Sequence, residues 1–340
     1  FYSVNLSFSF IIPVFNRPRE IQELLESFTK LNTNTGVEYE IIIVEDGSNE
    51  TCEEVIASYE NKLPINYLYQ TNQGPGKARN NGAEKAKYDY LIFLDSDVLL
   101  VEDYLENVTQ SLKKEALDCF GGPDQDDENF SAVQKAVDFT MTSFLTTGGI
   151  RGKKESTKNY EPRSFNMGIR SDLFKELNGF SNIHPGEDPE LIMRLKKERH
   201  VKIGFIPSAK VIHKRRISIK KFSTQLYKFG LVRPIITQWH PEFDHITFYF
   251  PLVFTLGFLI AIIILLLGYN LLISIYLLYS IVLFLECLLQ KRSLWIAFLS
   301  VYTTYIQFFS YGLGFLISYV LVRIFNRKPE DKFPFLFFDK

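Results

Sequence analysis

The sequence predicts an α/β fold built on a mostly parallel sheet, followed by a region of long apolar helices. Over the first 120 residues, short apolar runs that read as strands alternate with segments of helical periodicity. This alternation is typical of a parallel sheet with helices on both faces. After about residue 245 the chain changes to long stretches with almost no charge. The two patterns predict an α/β domain and a separate apolar region.

The elements of the α/β part can be placed one by one. Strands are predicted at 7–14, 39–44, 65–69 and 90–94, and helices at about 18–31, 50–60, 76–87 and 101–116. The first helix begins at Pro18, where a missing N–H costs no hydrogen bond. Beyond residue 120 the pattern loosens into loops at 121–129 and 147–165, and long loops in a compact domain are often functional.

Charge divides the chain into two parts. Residues 1–245 contain 31 Lys and Arg against 35 Asp and Glu, a net charge of −4, whereas residues 246–340 contain 7 against 4, a net charge of +3. The stretches 246–268 and 294–322 have no charged residue, and 271–289 has only Glu286. About 20 apolar residues can cross a bilayer core of roughly 30 Å. Two to three membrane spans are therefore predicted; buried helices of a large soluble protein are the alternative, which three tandem stretches disfavour.

A basic segment precedes the first apolar stretch. Residues 196–233 contain 12 Lys and Arg against the single acid Glu198. Part of this segment shows an apolar helical face, formed by Ile219, Phe222, Leu226 and Phe229. A basic amphipathic helix next to a membrane segment is typical of an interfacial helix on anionic lipid. A solvated helix with a core-facing stripe is the alternative.

The cysteines indicate a reducing compartment. Cys52, Cys119 and Cys287 are odd in number and far apart, which argues against a disulfide framework and against a zinc site. No signal peptide is visible, and because the chain starts at Phe1 rather than Met we expect a short N-terminal piece to be missing. We expect the α/β domain in the cytosol and no nucleic-acid partner.

Acidic residues follow two of the predicted strands. Glu45 and Asp46 close the strand 39–44, and the triplet Asp95-Ser96-Asp97 follows the strand 90–94. Ligands of open parallel sheets bind beyond the carboxyl ends of the strands, so both clusters should meet at one edge. Mg²⁺ takes one or two carboxylates and completes its shell with phosphate oxygens and water. The sequence therefore predicts a site for a diphosphate with Mg²⁺ or Mn²⁺, which a third acidic pair, Glu187-Asp188, could face as a general base.

A glycine-rich loop precedes the predicted helix 76–87. Such loops let backbone N–H groups approach phosphate, and Lys77 and Arg79 add positive charge. The loop lacks the GxxxxGK[ST] pattern of P-loop hydrolases, and Arg79 stands where a dinucleotide-binding fingerprint needs its third glycine. Both rival classes of nucleotide-binding protein are therefore disfavoured, whereas an ordinary turn at a helix start remains the alternative.

A histidine follows the last apolar run of the α/β part. A lone histidine in such a place is usually structural. His213 is followed directly by Lys214, Arg215 and Arg216, and three cations would suit a diphosphate.

Together these segments resemble an inverting glycosyltransferase of family 2 with a GT-A fold, of the membrane-anchored type that builds bacterial exopolysaccharides or lipid-linked glycans. The matching segments occur in the family's order from Phe10 to about Arg233. They are Ile11–Asn16, Val44–Ser48, Gly74–Gly82, Asp95–Asp97, Asn166–Arg170, Asn178–Phe180, Gly186–Leu191 and His213.

The resemblance implies roles for individual residues. Asp188 would be the catalytic base, Asp97 the main metal ligand, and His213 would approach the metal or the diphosphate. Asp46 would read the nucleobase. The remaining nucleotide-sugar-binding residues would be Pro13, Phe15, Arg17, Lys77, Arg79, Asp95 and Ser96. The acceptor or diphosphate region would include Asn166, Glu187, Lys214, Arg215 and Arg233.

The resemblance also implies an activity: transfer of a hexose or N-acetylhexosamine from a nucleotide-diphosphate sugar, expected to be a UDP-sugar, to a hydroxyl of a lipid-linked or cell-surface glycan. The Gln-x-x-Arg-Trp motif of processive synthases is missing, which favours addition of one sugar. The expected location is the cytoplasmic membrane, with a catalytic domain at 1–216, an interfacial segment at 217–245, membrane spans within 246–325 and a polar, aromatic tail at 326–340. Two alternatives stay open: a polyprenyl-phosphate glycosyltransferase, and a non-enzymatic sugar-binding scaffold, against which the intact set of acids argues.

Overall fold

The computed structural model describes residues 6–33, 36–125, 130–147, 160–198, 200–213 and 218–338. The chain forms two compact units. The first contains residues 1–127, 155–214 and 337–340, and the second contains residues 128–154 and 215–336. Each unit therefore combines segments that are far apart in the sequence.

The first unit contains all of the strands described. They are β1 (Ser7–Val14), β2 (Glu38–Asp46), β3 (Ile65–Gln70), β4 (Tyr90–Leu94), β5 (Val98–Leu100), β6 (Cys119–Gly121), β7 (Asp124–Gln125), β8 (Asn166–Arg170), β9 (Ile203–Phe205) and β10 (Val211–His213). Its helices are α1 (Pro18–Thr29), α2 (Glu53–Ala57), α3 (Pro75–Lys85), α4 (Tyr104–Lys114), α7 (Ser171–Glu176) and α8 (Glu187–Lys197).

The second unit is helical. Its helices are α5 (Ala132–Thr142), α6 (Phe144–Thr147), α9 (Ile219–Trp239), α10 (Phe250–Leu266), α11 (Leu271–Lys291), α12 (Leu294–Ser318) and α13 (Pro329–Lys332). A π-helical turn at Tyr319–Ile324 continues α12.

The main sheet confirms the predicted fold class. Its seven strands lie in the order β3-β2-β1-β4-β8-β6-β9. All neighbouring pairs are parallel except for the two that β8 makes, with β4 and with β6. A smaller sheet of three strands has the order β5-β10-β7. In β1 the side chains alternate between two cores, with Phe8, Phe10 and Ile12 in one and Ile11 in the other, as expected for a strand buried on both faces.

The order of strands reverses direction at β1, and the sheet opens there. The pairing of β1 with β4 ends at Ile11 and Phe93, whereas its pairing with β2 continues to Val14 and Glu45. Pro13 lies in the part of β1 that β4 no longer pairs, and it has no N–H to donate. Such a switch point is where open α/β sheets bind their ligands.

One glycine sets the distance between α3 and the sheet. A β-carbon built on Gly82 would lie 2.6 Å from Cγ2 of Ile11 and 3.1 Å from Cγ2 of Val44. These contacts are closer than carbon atoms normally approach, so only glycine lets α3 lie flat on β1 and β2. Because α3 begins at the glycine-rich loop, its seat on the sheet also fixes the position of that loop.

Three helices of the second unit are long and apolar enough to cross a membrane, at Ile246–Leu266, Leu271–Lys291 and Leu294–Ile324. They agree with the apolar stretches that the sequence shows. The apolar stripe of α9 is not a free face. Phe222 and Leu226 pack with Val137 of α5 and with Ile306 of α12, so the helices of the unit cover this stripe. The interfacial role of 217–245 stays a prediction.

The two units differ from the contiguous domains that the sequence predicts. Residues 128–154 group with the apolar helices, although they lie inside the predicted domain 1–216. The physical reason is the packing of α5. Phe139 contributes to a core with Leu283, Cys287 and Ala297, and the Oγ1 atoms of Thr140 and Thr303 lie 2.7 Å apart.

We expect Gly82→Val to lower the thermal stability of the first unit. The added side chain cannot fit between α3 and the sheet, and overpacking of this kind typically costs about 1–3 kcal/mol. Calorimetric unfolding of the full-length protein in detergent would measure the loss. Glu84→Ala, at an exposed position of the same helix, is the control and should change stability by no more than about 0.5 kcal/mol. Equal melting temperatures for the two variants would contradict the packing argument.

Candidate active site

The loops after β1 and β2 are tied together at the edge where the sheet opens. Asn16 has a positive φ of 53°, a conformation that asparagine tolerates better than most residues. Its backbone N–H donates to Oγ of Ser48 at 2.7 Å, and its Oδ1 accepts the N–H groups of Asn49 and Glu50 at 2.8 and 3.2 Å. These hydrogen bonds join the loops after β1 and β2 beside the opening of the sheet.

Glu45 has a structural role in the loop after β2. It is fully buried, and it accepts hydrogen bonds from the hydroxyl of Ser48, from both the N–H and the thiol of Cys52, and from the hydroxyl of Tyr67. Burial raises the pKa of the Cys52 thiol and of the Tyr67 hydroxyl, and the neighbouring Glu45 raises both further. Glu45 thus holds the loop after β2 in place.

Asp46, the next residue, organises the glycine-rich loop. Its Oδ1 accepts the side-chain amide of Gln70 at 2.7 Å and the backbone N–H of Gln73 at 2.8 Å, and its Oδ2 accepts the N–H of Gly74 at 2.9 Å. Gly74 has a φ of +86°, which suits glycine. The carboxylate predicted to read the nucleobase therefore also shapes the loop beside it.

Arg79 connects the carboxylate after β4 to the start of α8. Its Nη2 lies 2.7 Å from Oδ1 of Asp95, and its Nη1 lies 3.1 Å from Oε1 of Glu187. The side chain is only 4% exposed, and it stacks near the ring of Phe180 at 5.6 Å. Burial alone would lower the pKa of the guanidinium, but Asp95 and Glu187 raise it above its ordinary value. A permanent cation therefore lies between two acids of the site.

Asp97 is paired with the loop after β1. Nη1 of Arg17 lies 2.6 Å from its Oδ2. Burial lowers the pKa of the Arg17 guanidinium, but the attraction and hydrogen bond of Asp97 outweigh it and raise that pKa overall. The two acids of the triplet thus each face an arginine, one from the loop after β1 and one from α3.

Asp188 lies in the first turn of α8, next to Glu187. Its Oδ2 accepts the backbone N–H of Ser164 at 3.4 Å and lies 4.0 Å from Nη1 of Arg163. Burial raises the pKa of the Asp188 carboxyl, and the nearby Arg163 opposes that shift only in part. The N–H groups at the start of a helix favour the ionised form of an acid, but at Asp188 burial has the larger effect on the pKa. In the part of the chain that the structure describes, Gly186 occupies the N-cap of α8 and no side chain caps it, so Asp188 does not act as a cap.

Glu187 is buried, and its electrostatics differ from those of Asp188. Burial would raise its pKa, but His184, which lies 3.1 Å away, and Arg79 lower it to about 2. Its Oε2 also accepts the N–H of Gly186 at 3.0 Å. Two adjacent acids thus have pKa values shifted in opposite directions, an arrangement that separates a structural anion from a group able to exchange a proton.

The structure distributes the other predicted donor residues over the same edge. Pro13 is buried within β1, and Phe15, directly after the strand, is 48% exposed. Lys77 lies in the first turn of α3, and Ser96 is buried between the two acids of its triplet. Asn166 is fully buried and uses its side chain inside the fold, since Oδ1 accepts from Tyr104 and Nδ2 donates to Ala209. This placement does not favour direct contact of Asn166 with an acceptor.

The cationic residues predicted near the diphosphate are only partly described. The backbone of His213 pairs with Val98, next to Asp97, but the His213 side chain, Lys214 and Arg215 lie outside the described residues. Arg233 belongs to the second unit, in α9, where its guanidinium lies 4.1 Å from the ring centre of Phe248.

Two residues of the site have no role in the predictions from sequence. His184 contacts Glu187, and Arg163 faces Asp188. The only signal for Arg163 was its position in the long loop 147–165. His184 lies two residues before Gly186, and nothing in its spacing distinguishes it from a surface histidine.

The donor set suits a divalent cation that is shared with a ligand. Within the described ranges, no three His, Cys, Asp or Glu side chains come together as a ready-made metal cluster. Asp95 and Asp97 provide two carboxylates at a strand end, which fits Mg²⁺ or Mn²⁺, since these ions use one or two carboxylates and take their other ligands from phosphate and water.

Comparison with known proteins agrees with this architecture. The family model of glycosyl transferase family 2 matches residues 9–177. The minor teichoic acid biosynthesis protein GgaB of Bacillus subtilis is 27% identical over 219 residues, which cover 63% of this chain and 23% of that protein.

Two solved structures share the fold. S. aureus TarS 1–349 has a TM-score of 0.52 at 22% identity, covering 68% of this chain and 64% of the other. The mannosyltransferase PcManGT from Pyrobaculum calidifontis, in complex with GDP-Man and Mn²⁺, has a TM-score of 0.53 at 13% identity, covering 70% and 65%.

The chain spans between 11% and 34% of the length of the curated relatives it matches. The family match begins in β1 and ends just beyond α7, so it includes the strand ends that carry Asp46, Asp95 and Asp97. The chain therefore carries a glycosyltransferase family 2 domain with a GT-A fold.

Proposed function

We propose that this protein transfers a sugar from a nucleoside diphosphate sugar to a hydroxyl group of a membrane-associated glycan, with inversion at the anomeric carbon. The observation that carries the proposal is the Arg79 bridge. It joins Asp95, on the donor side of the site, to Glu187, the neighbour of Asp188. Arg79 thus connects an acid proposed to bind the donor with the neighbour of the proposed base.

The charges of the site suit a nucleotide sugar. Asp46 and the glycine-rich loop lie at the end of β2, and the Arg17–Asp97 pair lies at the opening between β1 and β4. A nucleotide that extends along this edge would place its base near Asp46 and its diphosphate near Arg17 and Lys77. Arginine and lysine are the usual protein partners of phosphate oxygens.

Asp188 would act as the general base. Its carboxylate takes the proton of the acceptor hydroxyl, and the oxygen forms a bond to the anomeric carbon from the face opposite the diphosphate. The bond between that carbon and the phosphate oxygen breaks, and its electron pair leaves with the nucleoside diphosphate. Because burial raises the pKa of Asp188, the group is a stronger base than an ordinary aspartate once ionised, and catalysis improves as the pKa of a base approaches the working pH.

Asp97 and Asp95 would hold a divalent cation together with the donor phosphates, and the sequence-based prediction that His213 approaches the metal or the diphosphate stays part of the proposal. When bound, such a cation supplies charge that offsets the developing charge of the leaving diphosphate. The relative PcManGT binds GDP-Man with Mn²⁺, which supports testing Mn²⁺ first.

The acceptor is proposed to be a lipid-linked or cell-surface glycan. Three helices long and apolar enough to span a bilayer would keep the enzyme where such acceptors are found. The relative GgaB is named for teichoic acid biosynthesis, which supports a polymer of the cell envelope as product. We propose that the first unit faces the cytosol, where nucleotide sugars are available.

Asp188→Asn should abolish most of the transfer and leave donor binding intact. Asparagine keeps the size of the side chain but cannot take a proton, and general-base catalysis typically contributes about 10²–10⁴-fold. The assay measures UDP released from UDP-sugars by the full-length enzyme, with thermal stabilisation by the same donor as a binding readout. Glu84→Gln, an exposed acid on α3, is the control. Near-normal turnover in Asp188→Asn would exclude Asp188 as the base and would favour a phosphate acceptor, which needs little base assistance.

The acid limb of the pH–rate profile should depend on Arg163. Activity needs ionised Asp188, so it falls as the pH drops through the pKa of that group, which burial raises above the ordinary value of about 3.9. Arg163 lowers this pKa, so Arg163→Met should move the acid limb to higher pH, whereas Arg163→Lys should move it less. The measurement is kcat/KM for the donor against pH. A limb that stays in place in Arg163→Met would contradict the assignment.

Asp97→Ala should remove the metal dependence of donor binding. The substitution deletes one of the two carboxylates that would hold the cation, and it also removes the ion pair between Asp97 and Arg17. Calorimetric titration of UDP into the full-length protein, with and without Mn²⁺, measures the difference. Asp103→Ala changes an exposed acid nearby and should bind like the parent protein. Retention of Mn²⁺-dependent affinity in Asp97→Ala would place the metal elsewhere.

A further inference from the structure

An aromatic residue from beyond the apolar helices lies in the first unit. Phe338 follows α13 in the sequence, yet it belongs to the unit that contains the family 2 domain. A β-carbon built on Gly74 would lie 2.3 Å from Cδ2, 2.5 Å from Cε2 and 2.7 Å from Cγ of the Phe338 ring. The ring therefore rests directly on the backbone of the glycine-rich loop, in space that any other residue at 74 would occupy.

The surroundings of the ring belong to the candidate active site. The N–H of Gly74 donates to Asp46 at 2.9 Å. On another side, the ring of His184 lies 6.3 Å from that of Phe338, centre to centre, and His184 in turn contacts Glu187. Phe338 thus stands between the loop that Asp46 shapes and the loop that leads to Asp188.

The same neighbourhood contains polar groups without partners. Among the described residues, Oγ of Ser181 and Nδ2 of Asn182 are buried and make no hydrogen bond. Their loop lies against the start of α3, since a β-carbon on Gly76 would lie 3.2 Å from the carbonyl oxygen of Ser181. Buried polar groups normally have a partner, and the polar edge of a ligand could supply one.

The chemistry of the ring decides which part of a ligand it can meet. A phenylalanine has no charge or donor for a phosphate, and it offers an apolar face that is only partly buried. Flat aromatic groups stack well on such a face, and every nucleobase can do so because each has a π-face. Asp46 is the last residue of β2 and Gly74 lies in the loop after β3, whereas the acids expected near the diphosphate follow β4. The ring is thus on the side of the site away from Asp97 in the strand order.

We propose that Phe338 forms one wall of the donor pocket and that the nucleobase of the donor stacks on its ring. This inference rests on the proposed function, and it adds a donor-binding residue from a segment outside the 9–177 match. The segment that follows the apolar helices would then complete the nucleotide site of the first unit.

The test compares ligands with and without a base. UDP and inorganic pyrophosphate, each with Mn²⁺, are titrated into the full-length protein in detergent and into three variants. Phe338→Ala should weaken UDP binding by roughly 5- to 150-fold, the range expected for loss of one stacked base, with no more than a twofold effect on pyrophosphate. Phe338→Trp should bind UDP within a fewfold of the parent. Phe335→Ala, an exposed phenylalanine of the same segment that belongs to the second unit, is the matched control and should bind like the parent.

Two results would overturn the inference while leaving the proposed function in place. Unchanged UDP affinity in Phe338→Ala would show that the ring does not meet the base. Tighter UDP binding in that variant would show that the ring occupies the pocket and competes with the donor. If the parent protein binds neither UDP nor GDP, with or without Mn²⁺, the proposed function itself fails, and the inference fails with it.

Discussion

The interaction on which the site depends is the buried contact of one guanidinium with two carboxylates. Arg79 is held by Asp95 and Glu187 with almost no exposure to water. Removing one partner of such a group leaves an uncompensated buried charge, which typically costs about 3–5 kcal/mol. The bridge joins α3, the end of β4 and the start of α8. The positions of the proposed donor acids and of the proposed base are therefore not independent, and a shift in one element would be transmitted to the others through this arginine.

Adjacent acids in this site perform different tasks because their surroundings differ. Glu45 accepts four hydrogen bonds and holds the loop after β2 in place, while Asp46 accepts the N–H of Gly74 in the glycine-rich loop. Glu187 is stabilised as an anion by His184 and Arg79, while burial raises the pKa of Asp188. In the second pair, one carboxylate is a stabilised anion with a structural role, and the other is the one proposed to exchange a proton.

Much of the fold could be predicted from sequence, because short apolar runs that alternate with segments of helical periodicity are typical of buried parallel strands. The strands at 7–14 and 90–94 match the structure at both ends, and the acids after β2 and β4 lie at the same edge of the sheet because both strands run parallel to β1. The partners of those acids could not be predicted. The sequence predicts that Arg79 contributes positive charge for a phosphate, whereas in the structure its buried guanidinium pairs with Asp95 and Glu187. Tertiary packing alone decides the positions of the segments that contain Arg163, His184 and Phe338. The local sequence pattern of these segments therefore does not predict their contacts.

The grouping of 128–154 with the apolar helices has a practical consequence. A protein shortened to its first 245 residues would keep α5 but lose α11 and α12, the helices that cover Phe139 and Thr140. It would also lose Phe338 from the first unit. Newly exposed phenylalanine and valine side chains promote aggregation, so poor solubility of such a fragment would say nothing about the folding of the α/β sheet. Biochemical work on this protein therefore calls for detergent, nanodiscs or native membranes from the outset.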